Sequence, residues 1–320
     1  MLPSTLNRRL NRRSFLTTGL AAGLGSALAL RAAAAKIDRS HISAISDEIA
    51  KSPAEAIAFA KRYGMQWLEL RDVPGSKKSY HTLEPEDLLV ARAEFKEAGI
   101  RISFLNTPLL KFGLPGTEPL RRTPEKPEAR EKRIAKEQAQ FDGRMEEFRK
   151  AIRCGHALDC TLLRVFSFSR VAEPQKLFQR VAEHIGEMAM LAEKEGVKLL
   201  IENEASQNVG TSAEAAQFVK LLPEKALAIN WDSLNGAALG EKPYPDGYDV
   251  LPKHRILNVQ IKGKTVLDYP DHLDWSAIFV QLQKDGYKGQ LGLETHIFGE
   301  GQVACSHASM REIMRITETL

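Results

Sequence analysis

An eight-stranded α/β barrel is the fold this sequence predicts, and three observations predict it. Eight strand-like stretches, each followed by a helix-like stretch or a crossover, run from residue 41 to residue 320, the length of a single (β/α)8 domain. Within the strand-like stretches apolar and polar side chains alternate, as they do when one face packs on helices and the other lines a lumen. No Gly-rich nucleotide turn follows the first strand, which disfavours the alternative, a doubly wound open sheet.

The units succeed one another in order. "HISAIS" at 41–46 reads as the first strand, and the helix after it opens at Ser52, takes Pro53 at its first position and stops at Gly64. "WLELR" precedes a helix from about Glu84 to Ala98, and "RISFLNT" a charged helical stretch ending near Leu158. "TLLRVFSF" leads to a helix from about Pro174 to Gly196, and "KLLIENE" to "TSAEAAQFVKLL". "ALAINWD" runs into a loop, "ILNVQIKGK" leads towards "DWSAIFVQLQKDG", and "QLGLETH" towards a last helix up to Leu320. Long connections are expected at 108–141 and 236–255, both leaving the end of the barrel where insertions act as lids or binding walls. Residues 117–135 of the first read as a solvated tether. Tyr244 and Tyr248 in the second read as packing residues, with stacking on a sugar ring as the alternative.

The first 35 residues have a different character. Arg8, Arg9, Arg12 and Arg13 precede an uncharged Ala/Gly/Leu-rich run and then "RAAAA", the pattern of a signal peptide cut after Ala35. "NRRSFL" within it resembles a twin-arginine export signal, which implies the twin-arginine machinery as a partner and a periplasmic or extracellular address, with no stable membrane insertion after cleavage. The domain is then 36–320. Losing five arginines and no acids leaves 40 Lys+Arg against 41 Asp+Glu, a net charge near −1, so the basic balance of the whole chain belongs to the leader. A nearly neutral body offers no electrostatic reason to expect nucleic acid or anionic membrane as a partner. Cys154, Cys160 and Cys305 show no zinc spacing, and the first two read as small buried residues rather than a disulfide.

Strand parity locates a site. Leu199 and Ile201 oppose Leu200, Glu202 and Glu204, while Ile229 and Trp231 oppose Asn230 and Asp232. Val259 and Ile261 oppose Asn258, Gln260 and Lys262, and Leu291 and Leu293 oppose Gln290, Glu294 and His296. Leu68 and Leu70 likewise oppose Glu69 and Arg71. The polar members gather at strand C-terminal ends, where barrel active sites lie. Any one acid could be a strand end in a salt bridge, but Glu202, Asp232 and Glu294 share inward parity and would repel unless a cation or shared protons intervene. Those carboxylates with the Gln260 side-chain carbonyl suit a divalent ion, Mn or Mg first, with Ca, Co and Zn as alternatives. Lys262 is placed to hold a substrate oxygen or to neutralise the acids beside it. Glu69 and His296 read as sugar hydrogen-bonders or local ion-pair members, and Glu204, Arg164 and His41 as structural.

"LLIENE", "INWDSLN", "NVQIKGK" and "LGLETH", in that order, resemble the metal-binding strand ends of the sugar isomerase/epimerase superfamily, the xylose-isomerase-like TIM barrels. The resemblance implies a metal held by Glu202, Asp232, residue 260 and Glu294. It also implies that Glu202 and Glu294 flank the substrate carbon, one removing a proton and the other returning it. Two positions depart from the pattern: Gln260 stands where the family usually has a ligating His, and Asn235 where it often has a substrate-contacting His. The expected activity is isomerisation, epimerisation or a lyase-like cleavage of a non-phosphorylated sugar or keto-sugar. Behind it rank an exported sugar-binding protein with a degenerate site, for which Gln260 and Asn235 speak, and a metal-dependent nuclease, which the lack of histidines and of a basic body disfavours.

Overall fold

A computed structural model of the chain describes residues 36–320. The signal peptide expected at 1–35 lies outside the described residues. Eight parallel strands form the sheet: β1 (Ile42–Ala44), β2 (Trp67–Leu70), β3 (Arg101–Leu105), β4 (Leu162–Val165), β5 (Lys198–Glu202), β6 (Leu227–Asp232), β7 (Ile256–Lys262) and β8 (Gln290–Glu294). They pair in the order β1-β8-β7-β6-β5-β4-β3-β2, and a parallel bridge between Ile45 and Glu69 joins β1 to β2 and closes the ring. This is the single-domain (β/α)8 barrel that the alternation predicts.

The helices follow in chain order: α1 (Ser46–Ile49), α2 (Pro53–Arg62), α3 (Pro85–Glu97), α4 (Pro127–Ala157), α5 (Phe178–Lys194), α6 (Ser212–Phe218), α7 (Gly263–Val266), α8 (Trp275–Lys284) and α9 (Gln302–Thr319). Local chemistry explains their ends. Ser52 caps α2 by accepting from Glu55 N, and Gly64 supplies the left-handed turn after it, at φ 64°. Thr211 and Glu214 form a reciprocal capping box at the start of α6. No helix among the described residues is long and apolar enough to cross a membrane.

Parity decides what each strand buries. The outward set, Leu199, Ile201, Ile229, Trp231, Val259, Ile261, Leu291 and Leu293, is fully buried against helix residues such as Phe59, Ile185, Phe218, Phe279 and Met310. Each such side chain contributes roughly 1.5–3 kcal/mol of burial. Inward, Phe104, Leu200 and Ala228 make a separate small apolar cluster in the lumen. Ser43, Glu69, Asn230, Asn258 and Gln260, buried and hydrogen-bonded to one another, supply its polar part.

Two expectations are corrected, both concerning the long connections. The connection after β3 does not run to 141, because α4 begins at Pro127, so that half of the expected tether is helix. Its first turns are held by Arg133, which pairs with Glu118, Glu125 and Glu137 at 2.9, 2.9 and 2.8 Å. The 236–255 connection is broken by short helical turns at Asn235–Leu239, Pro243–Gly247 and Lys253–Arg255. Within it Tyr248 packs on Trp231 at 5.2 Å between ring centroids and donates to Asp285 Oδ2, which places it in the outer layer, so packing rather than sugar stacking is its role. Cys154 and Cys160 are buried free thiols, and Cys305 is a half-buried one.

Candidate active site

The strand ends bury Glu69, Glu202, Asp232, Gln260, Lys262 and Glu294, while Asn235 is half-buried and His296 exposed. Register sets Asp232 of β6 beside Gln260 of β7, and Lys262 of β7 beside Glu294 of β8. The Lys262 ammonium consequently lies between two carboxylates, 2.9 Å from Asp232 Oδ2 and 2.7 Å from Glu294 Oε2. Neither oxygen meets hydrogen-bond geometry with it, so the contacts are ionic. Asp232 Oδ1 accepts from the backbone N–H groups of Leu234 and Asn235, both at 2.9 Å, which fixes the turn leaving β6. Glu294 Oε1 lies 3.3 Å from His296 Nδ1 and 3.9 Å from an Arg71 nitrogen.

Glu202 belongs to a second pairing. Arg164 of β4 reaches it at 3.1 Å, and Asn230 donates to it at 2.5 Å. Glu69 lies outside the mouth altogether: it is fully buried and accepts from Ser43, Asn106, Asn258 and Gln260 at 3.0, 2.8, 3.2 and 2.6 Å. A direct role for Glu69 in holding substrate is therefore corrected to that of a hub in the lumen. Gly292 makes the room, since a Cβ there would overlap Glu69 Oε1.

Sequence reasoning missed four participants. Arg164 was expected to be structural, yet it is the cation on Glu202. Asn230 carries the inward parity but signals nothing by type. Arg71 binds Asp47 at 2.6 Å and Glu48 at 3.0 Å. Glu48, on the single turn α1, also accepts from His296 N at 2.7 Å, and no sequence signal marked it.

Burial and charge set the protonation of this group. Burial pushes Asp232 up to about 6, although Lys262 beside it opposes the rise. Burial also acts to raise Glu294, but Lys262, the His296 bond and Arg71 outweigh it and hold the carboxyl well below its usual range. For Lys262 burial disfavours the charge, and Asp232, Glu294 and Glu202 more than restore it, so the ammonium persists. Burial raises Glu48 too, as does the nearby Glu294 charge.

Whether the four expected ligands fit a divalent ion depends on where their donor atoms are committed. Gln260 gives its amide nitrogen to Glu69 and leaves Oε1 buried without a donor, as a weak ligand would. Asp232 Oδ2 and Glu294 Oε2 would be the natural companions, but the Lys262 ammonium already lies within 2.9 Å of both. Glu202 does not join them: among the described residues, the one set of three His, Cys, Asp or Glu residues with ligand atoms within 4.8 Å of one another is Glu48, Glu294 and His296. That carboxylate/His group is in turn paired with Arg71. An ion and an ammonium cannot share the same two oxygens, so the four residues as arranged do not fit the ion.

Above the buried group opens a cavity of about 800 Å³, bordered by Arg121, Arg122, Asn235, Lys262, Lys264 and His296 among others. Its walls come from chain that follows the C-terminal ends of β3 to β8, the functional end of such a barrel. Asn235 and His296 thus lie where the sequence places them. Asn235 is held by its side chain to Asn203 O at 3.0 Å. Glu202, Asp232, Gln260 and Glu294 do not border the cavity, and Lys262 is the member of the buried group that does.

A closed (β/α)8 barrel with a carboxylate–ammonium group at its C-terminal mouth defines the class. The chain belongs to the xylose isomerase-like TIM barrel family, whose profile matches residues 57–313. Among solved structures it is similar to a xylose isomerase domain protein from Planctomyces limnophilus, at 13% identity and TM-score 0.62, over 88% of this chain and 98% of that one. It is similar to the 3-keto-D-glucoside 4-epimerase of E. coli, at 14% identity and TM-score 0.59, over 88% and 100%. A fusion of a xylose isomerase-like barrel with 4-hydroxyphenylpyruvate dioxygenase matches at 18% identity and TM-score 0.60 over 88% of this chain, which spans only 43% of the fusion. Likeness at these identities is likeness of fold. A search of curated proteins returns no match.

Proposed function

We propose that the protein is an exported sugar isomerase or epimerase that moves a proton on the carbon next to a carbonyl of a non-phosphorylated sugar or keto-sugar. One observation carries the reading: Lys262, a charged donor, forms part of the floor of the cavity with Glu294 at 2.7 Å behind it and His296 at the rim. A donor to the carbonyl oxygen beside a carboxylate is the minimum for enolisation. Glu294, held as a carboxylate behind Lys262 and off the cavity wall, comes into reach of the substrate proton once the Lys262 side chain swings to the substrate oxygen. As Lys262 turns to the substrate oxygen, one influence holding the Glu294 pKa down is released, and its basicity rises. Glu202, three strands away around the ring, is the candidate to serve the opposite face once Arg164 yields it.

The address rests on the twin-arginine pattern of residues 1–35. The substrate's lack of phosphate is supported at the rim, where Arg121, Arg170 and Lys264 are paired with Glu125, Glu214 and Asp271 at 3.1, 2.8 and 2.7 Å, which leaves Arg122 as the one rim arginine with no such pair among the described residues. The Mn or Mg ion expected from the sequence would have to displace Lys262. A binding-only protein is the second reading, favoured by the sealing of Glu202 under Arg164 and Asn230.

The test incubates the full-length protein with a panel of ketoses, 3-keto-glycosides and sugar phosphates and follows new epimers by NMR. An unphosphorylated keto-sugar should be converted, and Glu294→Gln should slow its turnover by ~100-fold or more. Saturable binding with no product from any sugar would establish the second reading instead, and preference for a phosphorylated substrate would refute the substrate class.

A further inference from the structure

The disagreement between this site and a divalent ion has a consequence that rests on the proposed function and deepens it. We infer that Lys262 is the cation of this site: its ammonium takes the position between Asp232 and Glu294 that an ion would need, donates to the substrate carbonyl, and makes the reaction independent of metal. Four observations support this, of which the pairing distances come first. The ammonium is 2.9 and 2.7 Å from carboxylates on the two strands that flank its own, so it has the bridging place of an ion. It is 2% exposed and still borders the cavity, so its free face can be reached only from the substrate's side. Gln260 offers only a neutral carbonyl oxygen where an imidazole donor is expected, its amide nitrogen being held by Glu69. Glu202 is neutralised separately by Arg164.

Lys262 is then a catalytic residue, and the step balances without a further reagent. The carboxylate takes the proton on carbon, the C–H electron pair becomes the enediolate π bond, and the negative charge gathers on the oxygen facing the ammonium. Returning the proton to the other face of that carbon gives the epimer; returning it to the neighbouring carbon, after the hydroxyl proton on the adjacent oxygen has passed to the oxygen that carried the charge, gives the isomer. No net oxidation occurs.

The wild-type full-length protein, freed of metal with a chelator and dialysed, is titrated with Mn²⁺ alone, reading free ion by electron paramagnetic resonance and the protein by its melting midpoint. The expected result is no stoichiometric uptake and an unchanged midpoint. The Gln260→His/Lys262→Met double variant, which exchanges the ammonium for a neutral chain and the amide for an imidazole, should bind Mn²⁺ at least ~10- to 100-fold more tightly, the range over which groups around a metal site alter its affinity. Should that variant fail to fold, the wild-type titration still decides, and Lys262→Arg, which keeps the charge, should remain as indifferent to Mn²⁺ as wild type.

With a converted sugar in hand, kcat should be the same with chelator or Mn²⁺, and Lys262→Met should lose about 10²- to 10³-fold in kcat with little change in KM. One Mn²⁺ per chain bound by wild type, or activity abolished by chelator and restored by Mn²⁺, would overturn the inference while leaving the proposed reaction standing. Metal indifference with no turnover of any sugar would overturn the catalytic role and the proposed function together.

Discussion

At the scale of single residues, the site is a set of acids neutralised by three cations. Glu202 has Arg164, Asp232 and Glu294 share Lys262, and Asp47 and Glu48 share Arg71. The sequence made the acids legible, because parity alone brings Glu202, Asp232 and Glu294 inward. It offered Lys262 or an ion as what neutralises Asp232 and Glu294 without choosing between them, and it named no cation for Glu202. Arg164, three residues into a strand of mostly apolar type, gives no sign of reaching Glu202 across to β5, and whether Lys262 or an ion stands between two carboxylates is a matter of ångströms.

Asp232 carries a prediction for pH. Its folded pKa is raised to about 6 from an ordinary 3.8. Its contribution to stability is therefore fully present below about 3.8 and lost as pH rises through 6, a swing on the order of 3 kcal/mol. The melting midpoint of Asp232→Asn relative to wild type should accordingly climb between pH 4 and pH 7. A gap that stays constant over that range contradicts the assignment. Gly292 carries another: Gly292→Ala forces a methyl into Glu69 Oε1 and should destabilise the fold by about 1–3 kcal/mol in urea unfolding, and an unaffected midpoint would mean that the lumen has slack there.

At the scale of elements, local sequence specifies some helix ends and leaves others to tertiary contacts. α2 was legible because Ser52, Pro53 and Gly64 each perform a local task that sequence alone specifies. The first turns of α4 were not, since "RRTPEKPEAREKRIAKEQ" lacks an apolar stripe and looks solvated. Its order comes from Arg133, only 10% exposed, whose three acidic partners include two upstream of the helix. Arg133→Ala should cost roughly 0.5–3 kcal/mol and, more tellingly, expose residues 118–135 to protease before the barrel melts. Cleavage no faster than in wild type would show that the pairs are dispensable. Tyr248 illustrates the same limit: an aromatic in a long connection could face either layer, and only the position of Trp231 behind it decides.

At the scale of the whole molecule, the barrel was legible because period-2 parity repeated on strand after strand cannot be satisfied by an open sheet with both faces covered. Closure itself is slight: a single bridge, Ile45 with Glu69, joins β1 and β2, and it places Glu69 at the seam as well as at the hub of the lumen network. The ring then sets Lys262 and Glu294 side by side under a cavity wide enough for a sugar. The most direct test of that arrangement is to supply the converted keto-sugar in D₂O, with chelator present, and to measure deuterium at the carbon next to the carbonyl. Proton transfer at this site predicts incorporation in step with turnover and its loss in Glu294→Gln. Turnover with the original hydrogen fully retained would contradict it.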